Sequence, residues 1–265
     1  MRLIYFSHSY KYVKKFLEAI NTFLSALGNV TIYGMEIIKY IATLQVNFQE
    51  LMYQCYRFGV VSLPITLSIV GMTSVIVAMQ VAGEMVKQGG GNYVGMLVAM
   101  LIVREVGVIM SGFAIISMIG SSMASELATM RVTEQIDALN VLKVNPIRYL
   151  FVPRVLAGAL MMPLVVIVAS LFGILGGAVA SNAVSELSYR AFFSSVWSGL
   201  YIHDMNVCLL KAITFGFTIA LISCACGYKA SGGAKGVGIA TTKSVVWSFI
   251  IIVVQDLLFA LAFFF

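Results

Sequence analysis

Long apolar runs with few or no charges, joined by short polar connections, divide most of the chain. No charged residue occurs between Arg57 and Glu84, which predicts a first membrane span over about Gly59–Ala82, since roughly 20 apolar residues cross a bilayer as a helix. Glycines 89–91 turn the chain into a second span, Tyr93–Gly120, which is interrupted by Arg104 and Glu105. A polar amphipathic stretch, Ser121–Asn145, follows and stops at Pro146. The longest uncharged run lies between Arg154 and Glu186; it holds a third span, with Gly173, Gly176 and Gly177 available for close helix packing. The aromatic segment Tyr189–Tyr201 reads as interfacial, and a fourth span covers about Asn206–Tyr228. Lys211, the one charge of that span, lies near its outer end, where its stem can snorkel to the interface. The fifth span, Val245–Phe265, carries Asp256. Ahead of these, Phe6, Tyr10, Val13 and Leu17 recur at helical spacing among lysines, the pattern of a helix lying in the interface. The stretch Asn21–Thr43 contains Glu36 and Lys39 and is expected to form an elbow helix dipping into one leaflet.

Composition narrows the class. Of 265 residues, 60% are hydrophobic and 11% charged, against about a quarter charged in soluble domains, so both a soluble globular domain and a disordered chain are excluded. The expectation is an all-α integral membrane protein forming one domain over residues 1–265: interfacial and elbow helices over 1–58, and a five-span core over 59–265. Cys55, Cys208, Cys224 and Cys226 lack metal-ligand spacing, and His8 and His203 do not complete a site, so no metal or other cofactor is expected. His203-Asp204 reads as an interfacial pair.

The net charge of +6 is explained by its distribution. With the N-terminus inside, the cytoplasmic connections receive Arg2, Lys11, Lys14, Lys15, Lys39, Arg57, Arg131, Lys143, Arg148, Arg154, Lys229, Lys235 and Lys243, whereas the outer ones receive Lys87 and Arg190. This asymmetry predicts a cytoplasmic N-terminus and an external C-terminus. It also makes the basic balance a topology signal, leaving no reason to expect nucleic-acid binding.

The largest polar island, residues 121–145, is then cytoplasmic. Thr133 is placed to cap a short helix whose first turn holds Glu134 and Asp137, with Val132, Ile136 and Leu139 along one side. Such a helix could rest on lipid. However, Glu126, Glu134 and Asp137 outnumber the single Arg131, whereas an anionic leaflet favours Lys and Arg, so a protein partner fits better.

The run Glu126-Leu-Ala-Thr-Met-Arg-Val-Thr-Glu-Gln-Ile-Asp-Ala-Leu139 closely resembles the signature of the MlaE/YrbE family of ABC-transporter permeases, which serve Mce-type lipid transport systems. The likeness continues through Gly59–Pro64, Gln80, Leu101–Gly107, Asn145–Ala157, Gly233–Thr242 and Asp256, in the family's order. It implies a bacterial inner-membrane permease that pairs as a homodimer. It further implies that a cytoplasmic ATP-binding subunit is met through a coupling helix, here with Glu126, Met130, Arg131, Thr133, Glu134 and Asp137. Lipid would pass to or from a periplasmic Mce-domain (MlaD-like) protein, and a STAS-domain subunit on the ATPase is an optional further partner. No GxxxxGK[ST] motif occurs, so ATP hydrolysis would reside on another chain and this one is not expected to be an enzyme. Val108 stands where the family has proline, so the helix irregularity after Gly107 is expected to be reduced; Met118 replaces an arginine and Lys235 stands where arginine is common.

Arg104 and Glu105 fall near mid-membrane, and Asp256 at comparable depth in the fifth span. A charge there costs at least ~2.5 kcal/mol, so a structural tie between Arg104 and Asp256 is expected. Glu105, whose family counterpart lies near bound lipid, is then left to face a lipid cavity. Arg104 and Glu105 are both candidates to contact substrate; the alternative is that both are packing ties without that contact. Gln80 would stand at the cavity mouth or simply in the interface, and Leu67, Val70, Ser74 and Val77 would present one apolar face to acyl chains or to a second copy. A secondary transporter with Glu105 and Asp256 as proton or ion sites is the alternative, although neither internal repeats nor a larger span number is evident. The charge asymmetry predicts that a cysteine placed at the C-terminus is labelled by an impermeant reagent from outside intact cells; labelling only after permeabilisation would reverse the topology.

Overall fold

The computed structural model describes residues 28, 31–43 and 46–264. The expected interfacial helix over the first fifteen residues lies outside them. The elements are α1 (residues 31–42), α2 (Phe48–Lys87), α3 (Gly91–Val132), α4 (Gln135–Val141), α5 (Ile147–Ser185), α6 (Tyr189–Gly199), α7 (Ile202–Tyr228) and α8 (Gly233–Phe263). Among the described residues, five helices are long and apolar enough to cross a membrane: α2, α3, α5, α7 and α8. The chain is thus an all-α, multi-pass membrane protein. One end of the bundle carries α1, α4 and most basic residues of the connections; it is called the basic end below.

The helices run well beyond the expected spans. α2 begins at Phe48, so the boundary expected at residue 58 falls inside a continuous helix, and α8 begins at Gly233, twelve residues before the expected fifth span. α3 has 42 residues, about 63 Å at 1.5 Å per residue, twice the ~30 Å of hydrocarbon. The first half of the polar island is therefore the tail of the second span. The polar residues that end an apolar run do not end a helix, because serine, glutamate and arginine sit comfortably in one.

Wide π turns interrupt the long helices at Arg57–Val61, Ile102–Val106, Ile116–Gly120 and Ile147–Phe151. Two of them lie just ahead of Pro64 and Pro153, where a ring without an N–H would otherwise disturb the ladder. The turn at Ile102–Val106 forms although Val108 replaces the proline, with Gly107 N–H donating to the Ile102 carbonyl. The irregularity thus persists without the residue expected to cause it.

Small side chains set the packing. Thr66, Val70, Ser74, Ala78 and Ala82, spaced four apart on α2, are all fully buried and face α5, where a Cβ on Gly173 would strike the Ser74 hydroxyl. α5 and α7 approach most closely at Gly158 and Gly216, each of whose absent Cβ would collide with the other's carbonyl. α6 is not merely interfacial. Phe192 is buried, and the Ser195 hydroxyl accepts from Met96 N–H at the start of α3 (3.0 Å). At the basic end α1 docks through Tyr33, whose ring meets those of Phe151 and Tyr228. Burial, with Tyr228 and Glu36 nearby, pushes the Tyr33 hydroxyl above its ordinary pKa.

Replacing Gly158 or Gly216 with leucine must push α5 from α7. Each change is expected to destabilise by about 1–3 kcal/mol, read as a lowered unfolding midpoint in detergent. Gly83→Ala, where an added Cβ meets nothing within 4 Å, is expected to be neutral.

Candidate functional site

Five charged groups meet between α3, α7 and α8 in the half of the bundle away from the basic end. Lys211, fully buried on α7, is their centre. Its Nζ donates to the Arg104 carbonyl (2.9 Å) and to Glu105 Oε2 (3.1 Å), and lies 2.8 Å from Asp256 Oδ1. An ammonium carries three N–H donors and here faces three oxygens, the condition under which a buried cation is tolerated. The expected snorkelling of Lys211 is therefore wrong: acceptors on two neighbouring helices hold it inside.

Arg104 pairs with Asp204, not with Asp256 as expected; the Nη2–Oδ1 distance is 2.9 Å. Asp204 lies in the first turn of α7 with 1% exposure and also accepts from Tyr201 N–H (3.2 Å). It is a structural carboxylate rather than an interfacial one, in a place that the helix dipole favours. The Phe264 ring lies 4.6 Å from the Arg104 guanidinium carbon. Asp204 and Lys211 are seven residues apart and share a face of α7. Consecutive residues of α3 thus take successive partners along α7, and the π turn leaves the Arg104 carbonyl available to Lys211. Arg104 and Lys211 stand against Glu105, Asp204 and Asp256, one negative charge in excess. Glu105 has the most exposed side chain of the five, at 37%.

A second cluster closes the basic end. Glu126 on α3 accepts Arg57 Nη1 of α2 at 2.6 Å and faces Arg154 Nη2 of α5 at 3.5 Å. Ser122 joins it, accepting from Arg57 (2.6 Å) and donating to Glu126 (3.2 Å). Glu126, expected in the coupling surface, is thus engaged by the chain's own arginines. Neither arginine was singled out, though each borders an uncharged run and needs a counter-charge close to lipid.

Beyond this clamp the chain turns at Glu134, whose φ is 60°, into α4. Thr133 does not cap α4 as expected. It follows the end of α3, and its hydroxyl donates back to the Thr129 carbonyl (2.8 Å). Glu134 takes the N-cap position instead of the first turn, while Asp137 is in the first turn and pairs with Arg131. Ile136 is buried with Val132 and Leu139 half-buried beside it, whereas Glu134 and Asp137 face outward. Met130 is half-buried. Val141 and Leu142, at 81% and 71% exposure, complete an apolar tip beside these acids.

The expected lining of α2 divides. Val70 and Ser74 are buried against α5, so they face neither lipid nor a second copy; Leu67 and Val77 are half-buried, and Gln80 is exposed. The open face of α2 carries Met72, Ile76 and Met79. Nearly every position of this span is apolar, so periodicity could not distinguish the two faces.

Comparison with known proteins adds a family likeness. The model of the family described as "Permease MlaE" matches residues 51–262. A protein of Synechocystis sp. named as a probable ABC transporter permease is 35% identical over 212 residues, covering 80% of this chain and 81% of its own. One of the same name from Rickettsia prowazekii is 34% identical over 242 residues, covering 91% and 93%. One from Porphyra purpurea is 35% identical over 234 residues, covering 88% and 86%.

Lys211→Met leaves Glu105 and Asp256 without their cation and is expected to destabilise by about 3–5 kcal/mol, as breaking a buried pair does. Adding Glu105→Gln and Asp256→Asn to that variant is expected to restore most of the loss, since no unpaired charge remains. Unfolding midpoints of the single and triple variants check both statements; equal midpoints would refute the assignment of Lys211 as the centre.

Proposed function

The chain belongs to the MlaE permease family and is a membrane permease subunit; on that premise we propose that it forms, with a second copy, the membrane pathway of a lipid-moving ABC transporter. A separate ATP-binding subunit supplies the energy, and a periplasmic Mce-domain protein exchanges the lipid. A STAS-domain subunit on the ATPase is an optional member. The membrane is the bacterial inner membrane, with the N-terminus and the basic end in the cytoplasm and the C-terminus outside. Residues 1–265 act as one permease domain.

The observation that carries this reading is the tip beyond α3. Glu134 and Asp137 project there beside Val141 and Leu142, whose apolar side chains are exposed. An exposed apolar patch rimmed by charge is the usual mark of a protein contact. Met130, Arg131 and Thr133 border it, and Glu126 anchors its base to α2 and α5. A motor docked on this tip pushes on α3, the helix that also carries Arg104 and Glu105.

At the other end Glu105 is the member of the charge cluster open to a ligand, in an otherwise apolar surrounding suited to acyl chains. Gln80 and the open face of α2 supply the neighbouring wall, with Leu67 and Val77 at its edge. Arg104 and Asp256 act by positioning, through Asp204 and Lys211. An ion-coupled transporter would need Glu105 and Asp256 as exchangeable ion sites. The Lys211 ammonium already occupies the position between them, which favours the ATP-driven reading.

Co-purification tests the proposal. The tagged wild-type chain is expected to bring down an ATP-binding subunit, and Glu134→Lys combined with Asp137→Lys to reduce that capture about tenfold or more, with the unfolding midpoint kept. A chain that transports lipid without any ATPase would defeat the proposal.

A further inference from the structure

The charge cluster between α3, α7 and α8 does not balance. Arg104 is matched by Asp204 at 2.9 Å, whereas Lys211 serves both Glu105 (3.1 Å) and Asp256 (2.8 Å). The third donor of its ammonium is spent on the Arg104 carbonyl (2.9 Å). Among the described residues neither acid has a second cation. Two carboxylates thus share one positive charge, in surroundings where unmatched charge is costly.

The surplus meets the surface at Glu105, whose side chain is the most exposed of the five and which Lys211 reaches through Oε2. Leu101 is exposed a turn away on α3, and Leu257 next to Asp256 on α8, so apolar surface flanks the opening. The depth suits a headgroup. α7 begins at Ile202 and α8 ends at Phe263, both beside the Arg104–Asp204 pair and the Phe264 ring. Lys211 and Asp256 lie only about 10–14 Å inside those ends, at 1.5 Å per residue.

Resting on the reading of Glu105 as the group open to cargo, we propose that the cluster selects lipids whose headgroup bears a primary ammonium, as ethanolamine does, with Glu105 accepting its N–H donors. An ammonium supplies the missing positive charge and makes a charge-assisted hydrogen bond to the carboxylate. A short ethylene link lets it reach Glu105 while its phosphate stays nearer the opening. The trimethylammonium of choline has the charge but no N–H, and is characteristically held against aromatic faces. Phe264, the ring packed on the cluster, already covers the Arg104 guanidinium at 4.6 Å. A glycerol headgroup brings a net negative charge to a site that already has one too many, a repulsion that acts against it.

The full chain, purified in a neutral detergent, is offered an equimolar mixture of phosphatidylethanolamine, phosphatidylcholine and phosphatidylglycerol with identical acyl chains, and retained lipid is counted by native mass spectrometry. Phosphatidylethanolamine is expected to be retained about tenfold over each of the others, the low end of what a hydrogen bond to a charged group contributes. Glu105→Gln, which leaves Lys211 paired with Asp256, is expected to cut that preference to about threefold or less, since a neutral acceptor remains. Glu105→Asp is expected to keep most of it. Unfolding midpoints of both variants check that the bundle is intact, and comparison with wild type isolates this site from lipid held elsewhere on the surface. Equal retention of the three lipids by the wild type, as a proton held between Glu105 and Asp256 would produce, overturns the selection. So does a preference that survives Glu105→Gln. A wild-type chain that retains none of the three overturns the lipid-permease reading along with it, so the two failures are distinguishable.

Discussion

A lysine ammonium sealed inside a membrane bundle must find its counter-charges within the protein, and the arrangement of three spans follows from where Lys211 finds them. Glu105 arrives on α3 and Asp256 on α8, while the Arg104 carbonyl completes the shell. An unpaired charge at such depth costs several kcal/mol, so α3, α7 and α8 cannot slide or rotate freely against one another. The π turn at Ile102–Val106 belongs to the same solution, and the second pair, Arg104 with Asp204, fixes the register between α3 and α7 seven residues earlier.

The same helix reaches the basic end, where its tail is held differently. Glu126 lies between two arginines from α2 and α5, closer to water and with weaker constraint than Lys211. Beyond it Ile136 still packs into the core, while α4 leaves exposed acids and the apolar tip of Val141 and Leu142. α3 therefore joins a tightly determined charge cluster to a surface with unmet contacts. Its second π turn, Ile116–Gly120, lies between them, at a place where a long helix can bend.

Much of the fold was legible along the chain because hydrocarbon imposes a one-dimensional rule: long uncharged runs must be helices that cross it. That rule located all five spans, and Gly173 and Gly177 correctly marked a close helix contact. It did not reveal helix ends, because nothing in water requires a helix to stop where its apolar run does; α3 continues through Ser121 to Val132. Nor did it distinguish faces. Val70 and Ser74 seemed equally suited to lipid, and only α5 lying against them decided otherwise. The left-handed turn at Glu134, which displaced the expected cap at Thr133, carries no glycine to announce it.

From sequence alone, then, this protein was determined to be a multi-pass helical membrane protein with most of its connecting charges on one side and a few charges at depth, because desolvation makes each such charge conspicuous. The family likeness was legible in the stretch from Glu126 to Leu139 because that run resembles the family's signature residue by residue. Tertiary structure alone decided which charge meets which. Arg104 had two acids within plausible depth, and Lys211 had an interface to reach for. Ion pairing acts over a few ångströms, and neighbours at that range are set by how three helices dock rather than by their order in the chain.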